Sequence, residues 1–191
     1  VYGDYAIYNN IKRTSLVTGS LELIMAFTKD TLHLHSDTLI TEYDSTETHR
    51  LIHAFHHVQF FKPDLQGKCD SLSFSEVDST IRLYIAPIVW TDSNQITGKE
   101  IIIKTYDGVI QNMRINEEAF IVSEEETALY NQIKGKTLNA FFKDNEIYRI
   151  DVNRSGQTIY YVRDEQNELM GMNRLDCSNM SIFVDSTGIN N

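Results

Sequence analysis

The chain has 191 residues, 41% hydrophobic and 23% charged, with a formal charge of −10 and a pI near 5.0. That balance fits a folded chain with a substantial core, and it excludes disorder. Lys12–Arg13 is the only adjacent basic pair, which excludes a nucleic-acid partner held by clustered Lys and Arg.

No apolar run approaches the roughly 20 residues of a membrane-spanning helix; the richest, Leu21 to Phe27, is far shorter. Val1 does not open an export signal, since no charged n-region, h-region or cleavage site follows it. Along the chain a unit then recurs. It is faint at Thr18-Gly19-Ser20 and at Ser36-Asp37-Thr38-Leu39, and clear at Gly67, Gly98, Gly135 and Gly171, in steps of 31, 37 and 36 residues. After each glycine comes an alternating strand; in the Gly67 unit Leu72 and Phe74 point one way and Ser71, Ser73 and Ser75 the other. A polar turn follows, at Glu76 to Ser79, at Tyr106-Asp107-Gly108 and at Lys143 to Glu146. A longer β run closes the unit: Ile81 to Trp90, Val109 to Val122, Ile147 to Val162. Pro87 inside the first of these runs predicts a bulge or an edge.

One segment departs from this order. Ser123-Glu124-Glu125-Glu126 reads as a capping box, Ala128, Leu129 and Ile133 keep apolar spacing, and Gly135 could close the end, which predicts a short helix over Glu124 to Lys134. A two-strand unit cannot bury its apolar face alone, so neighbours must stack around one interior. The expected architecture is therefore all-β, an elongated jelly roll or solenoid-like stack of two-strand repeats, with at most one or two short helices, in a single domain over residues 1–191. Cys69 and Cys177 fall three repeats apart, roughly 14 Å at one strand spacing per repeat. This is beyond the reach of a disulfide, so both are expected as free thiols.

The run Gly67 to Trp90, followed by Thr91 to Gly98, resembles the OstA-like family, in particular the longer OstA-like proteins of Bacteroides-type bacteria. So do Asn131 to Lys136, Phe142-Lys143-Asp144-Asn145, Gly156 to Tyr161, and upstream Gly3-Asp4-Tyr5 and Leu34 to Leu39. That family is similar to the periplasmic lipopolysaccharide-transport proteins. The resemblance implies an open β jelly roll with a slot-like interior for acyl chains, a periplasmic location, and rungs that continue from protomer to protomer or onto other envelope jelly-roll transport components. It carries over no catalytic residue and no cofactor. Phe74, Leu83, Ile103, Phe142 and Ile159 are the expected lining of such an interior, within a wider apolar set that includes Leu72, Ile81, Ile101, Leu138, Ala140, Ile147 and Tyr161.

Other chemistry is weaker in the sequence. His33 and His35 share a strand face and His53, His56 and His57 follow, but no cysteine or carboxylate stands at a zinc-ligand spacing. No serine lies in a G-x-S-x-G elbow. Plentiful Asp and Glu leave a carbohydrate-active β-solenoid enzyme as the alternative to a non-enzymatic carrier of lipopolysaccharide or a related glycolipid, and a purely structural adhesion module as a third reading.

Overall fold

The computed structural model describes residues 1–26, 28, 30–91, 94–143, 146–164, 166, 168–185 and 188–190, and among them every ordered element is a strand. In chain order these are β1 (Tyr5–Asn9), β2 (Thr14–Ala26), β3 (Thr31–Tyr43), β4 (Arg50–Lys62), β5 (Leu65–Ser75), β6 (Thr80–Tyr84), β7 (Ile88–Thr91), β8 (Asn94–Thr97), β9 (Glu100–Tyr106), β10 (Val109–Glu126), β11 (Leu129–Lys143), β12 (Glu146–Arg163), β13 (Leu169–Asp185) and β14 (Gly188–Asn190). All pairings are antiparallel, in the order β1-β2-β3-β4-β5-β6-β9-β10-β11-β12-β13-β14, with β7 and β8 paired to each other and bridging β5 to β10.

The long strands bend once, near their middle, and each bend is a shift of register, for example between Phe55 and Val58 of β4 and between Asn116 and Ala119 of β10. On alternate strands the bend is built from two consecutive left-handed residues: Gly19–Ser20, His56–His57, Ile85–Ala86, Glu117–Glu118 and Arg154–Ser155, with φ between 42° and 74°. Each strand thereby contributes to two layers. Lamina A holds the segments 14–18, 38–43, 50–55, 71–75, 80–84, 100–106, 109–116, 137–143, 146–153 and 179–185. Lamina B holds 21–26, 31–36, 58–62, 65–69, 88–91, 94–97, 119–126, 129–135, 156–163 and 169–177. β6 and β7 are the two arms of one bent strand, and β8 and β9 of another. Pro87 stands at the corner between β6 and β7, as the proline in that β run suggested.

The apolar positions line up across the strands. In lamina A, Val17, Leu39, Ala54, Leu72, Leu83, Ile101, Ile115, Leu138, Val152 and Met180 are consecutive register partners. In lamina B the row is Leu23, Leu34, Phe60, Gly67, Val89, Ile96, Ile121, Ile133, Thr158 and Leu175. Side chains from both laminae form one hydrophobic core, the arrangement of a two-layer jelly roll. Gly67 belongs in its row because Phe60 takes its space: a Cβ there would lie 2.3 Å from Phe60 Cζ.

The repeat is real, but its structural marker is the corner. Gly98 and Gly135 sit at corners, where a Cβ would strike Ile115 and Val152 at 2.5 and 2.6 Å. Gly67 lies three residues before its corner and Gly171 several before, so the glycine frame marks the period without marking one position. The expected turns form at Glu76–Ser79 and at Asp107–Gly108, where both residues have positive φ, 48° and 76°. Asp144–Asn145, in the third expected turn, lies outside the described residues.

The helix expected over Glu124 to Lys134 does not form. Ser123 pairs with Asn94 on one side and Asn131 on the other, and the chain reverses at Thr127–Ala128 into β11. Ile121 and Ile133 are cross-strand partners in the core, and Arg163 holds Glu125 and Glu126 at 2.9 and 2.7 Å. Two-sided pairing outweighs the local capping signal, as tertiary context commonly overrides propensity. Cys69, buried, and Cys177, partly buried, are free thiols, six strand steps apart along either lamina.

Candidate functional site

The corners close one long side of the two laminae, and hairpin turns from both laminae gather along the other. The turns at 76–79 and 107–108 belong to lamina A, and those at 63–64 and 127–128 to lamina B. Between these rows of turns, toward the N-terminal half, the interior keeps a gap of about 60 Å³. Met25, Leu32 and Phe60 of lamina B face Ile52, Phe74 and Ile81 of lamina A across it. Its walls are nearly all apolar because period-2 alternation sends every second residue of each strand inward.

One charged side chain stands in this apolar lining. Lys62, at the turn-side end of β4, is 4% exposed. Its Nζ donates to Asp30 Oδ2 at 2.9 Å, to Asp64 Oδ2 at 3.1 Å and, across the gap, to the carbonyl of Gly108 at 3.2 Å. Burial pulls the ammonium pKa down, yet the hydrogen bonds and charges of Asp64 and Asp30 outweigh it and leave it above the ordinary lysine value. Lys62 thus ties lamina B to the β9–β10 turn of lamina A at the open side. Sequence reading missed it, although Val58, Phe60 and Lys62 share one parity and the inward phase of β4 could have exposed it.

Of the five expected lining residues, four face inward. Leu83 and Ile103 are fully buried, Phe142 is buried, and Phe74 is partly exposed where it packs on the core at the gap. Phe74, Ile81 and Ile103 are consecutive register partners, and Leu83 stands in the neighbouring row. Ile159 differs. Thr158 and Tyr160 are the buried residues of that stretch, which turns Ile159 and Tyr161 to the outer face. The run Ile159-Tyr160-Tyr161-Val162 has no alternation to set its phase. The pairing of Thr158 with Ile133 and Leu175 sets it instead.

The histidines do not converge. His33 and His35 share the outer face of lamina B, with buried Leu34 between them. His33 meets Glu22 at 3.1 Å, while the corner residues His56 and His57 meet Asp70 and Asp37 at 3.2 and 2.8 Å. Each corner histidine of β4 therefore reaches a carboxylate on a flanking strand, β5 or β3, and braces the bend.

Among the described residues the lamina edges are only partly paired. Among the described residues β13 pairs beyond β12 only at Phe183–Asp185, and the 21–26 arm of β2 meets only the bridge from Tyr2 to Glu22 on its free side. Comparison with known proteins agrees with this architecture. No curated protein matches the chain, but residues 1–109, from β1 through the turn after β9, match the family described as LptA/(LptD N-terminal domain) LPS transport protein. The match spans more than half of the chain and agrees with the OstA-like resemblance of its sequence, so the chain belongs to this family of lipopolysaccharide-transport proteins.

Proposed function

We propose that the protein holds the acyl chains of a lipopolysaccharide-like glycolipid between its two laminae, in the periplasm, as a carrier and not as an enzyme. The observation that carries this reading is the pair of inward rows, one per lamina, that run across the strands beside a turn side which, among the described residues, no strand closes. Phe74, Leu83, Ile103 and Phe142 are the lining; Ile159 leaves that set because it faces outward.

The gap of about 60 Å³ is worth about two water molecules, so a chain of ten or so carbons needs the laminae to part at the turn side. The corners are the natural hinges, and the Lys62 contact with Gly108 is the polar link that parting breaks. Each methylene buried contributes about 0.8 kcal/mol, enough to drive such an opening without head-group ion pairs. Binding should therefore depend weakly on salt, in keeping with the −10 charge.

Open edges at both ends suit head-to-tail growth, with further copies or other envelope jelly-roll components continuing the rungs. The test places a photo-crosslinker at Phe74 and Phe142, with Ser73 and Lys143 as outward controls. Labelling by intact glycolipid at the first pair alone is expected. Equal labelling at all four, or none, overturns the reading.

A further inference from the structure

The outer face of lamina B carries a patch that transport along the interior leaves unused. His33, Phe61, Gln66 and Trp90 are consecutive cross-strand partners on β3, β4, β5 and β7, forming a row about 14 Å long at three strand spacings. A second row, two residues toward the corner, contains Gln59 and Lys68. The two rows floor a depression of about 600 Å³.

Its chemistry is specific. Phe61 is 50% exposed on a strand whose alternate residues fill the core. The Trp90 indole is fixed by its Nε1 donating to Gln95 Oε1 at 3.0 Å, with the Lys68 ammonium 6.0 Å from the ring centre. Around these rings stand amide and imidazole side chains that donate and accept at once. Glu22, bound to His33, brings a negative charge to the same depression as Lys68, so the patch is not a concentrated cation site for phosphate. Aromatic faces beside planar amides and imidazoles match a saccharide, which offers C–H faces for stacking and hydroxyls that both donate and accept.

We propose that this face binds the saccharide portion of the glycolipid, by stacking on Trp90 and Phe61 and by hydrogen bonds to His33, Gln59 and Gln66. The identity of the saccharide rests on the carrier reading; the site itself does not. Its position suits the role: Phe61 and Trp90 each lie one residue from the turn-side end of their strand, and His33 lies two from the end of β3. A sugar chain attached to a lipid in the gap therefore has only the rim of turns to cross before it reaches the row.

Trp90 is the only tryptophan, so tryptophan emission, excited at wavelengths that the ten tyrosines do not absorb, reports on this face alone. Titration with the water-soluble saccharide released from lipopolysaccharide by mild acid should give a saturable emission change. Phe61→Ala and Gln66→Ala should each weaken it about tenfold while leaving circular dichroism unchanged. Should Gln66→Ala perturb the fold, Gln59→Ala, in the second row, serves the same purpose. No emission change up to millimolar saccharide overturns the proposal, as does an equal response to an unrelated neutral oligosaccharide. Crosslinking of intact glycolipid at Phe74 without a saccharide response removes this site and keeps the carrier. A saccharide response without that crosslinking keeps the site and removes the carrier.

Discussion

Lys62 has little water around it, so Asp30, Asp64 and the Gly108 carbonyl decide whether its charge stabilises or strains the open side. Lys62→Met keeps length and volume but removes the ammonium that both carboxylates contact. Both are partly exposed, at 20% and 25%, so water recovers some of the loss and the expected cost is about 2 kcal/mol, below the 3–5 of a fully buried pair. Urea unfolding measures it, and a variant as stable as the parent would contradict the tie. His57 gives a test by pH. Its hydrogen bond to Asp37, and then the charge of that carboxylate, raise its pKa above the ordinary 6.5. A raised folded-state pKa means that its stabilising effect is complete below the unfolded value and fades as pH climbs through the folded one. The His57 ring signal in NMR should titrate above 6.5, and Asp37→Asn should return it to about that value. A midpoint at or below 6.5 in the parent would remove the corner brace.

Among the elements, the corners carry the most backbone strain. Ile85 adopts φ 61°, a left-handed conformation that β-branched residues strongly disfavour, and its side chain is 65% exposed, so packing does not compensate. Ile85→Asn keeps the bend and removes the β-branched clash. It should raise stability by about 1 kcal/mol in thermal or urea unfolding; a loss of stability would show that the isoleucine holds the corner by contacts. The alternating strands and the Asp107–Gly108 turn were legible because period 2 and paired positive-φ residues leave local signatures. The corners were not. Gly19 and Pro87 apart, histidine, glutamate, isoleucine, alanine, arginine and serine occupy them, and nothing in these residue types announces a left-handed pair. The β10–β11 hairpin was misread as a helix for a related reason: Ser123 and Glu126 satisfy a local rule that pairing with β8 and β11 overrules.

At the scale of the molecule, the lamina B end of the stack has no covering strand beyond β13 among the described residues. Leu175, register partner of the buried Thr158, is 47% exposed because no further arm covers that end of lamina B among the described residues. Leu175→Lys places an inward-pointing charge on that edge, a device that natural sheets use to prevent edge pairing. Sedimentation should show concentration-dependent association of the parent, reduced or abolished in the variant, with the fold intact by circular dichroism. Association that is the same in both would move the interface away from the β13 edge.

The all-β class, a recurring strand–turn–strand unit, the inward face of most strands and the family could all be read from the sequence, since alternation and turn chemistry are local and the motifs keep their order. The sequence also placed Phe74, Leu83, Ile103 and Phe142 on the inner face; Phe74 and Leu83 sit in alternating stretches, whereas Ile101-Ile102-Ile103 and Phe141-Phe142 are unbroken and take their phase from the pairing of Ile103 with Ile81 and Met113 and of Phe142 with Ile147. The phase of the unalternating run at Ile159, the outward row from His33 to Trp90, and the burial of Lys62 against a carbonyl 46 residues away emerge from strand pairing alone. These depend on register between strands distant in sequence, and a one-residue slip in register reverses every side chain.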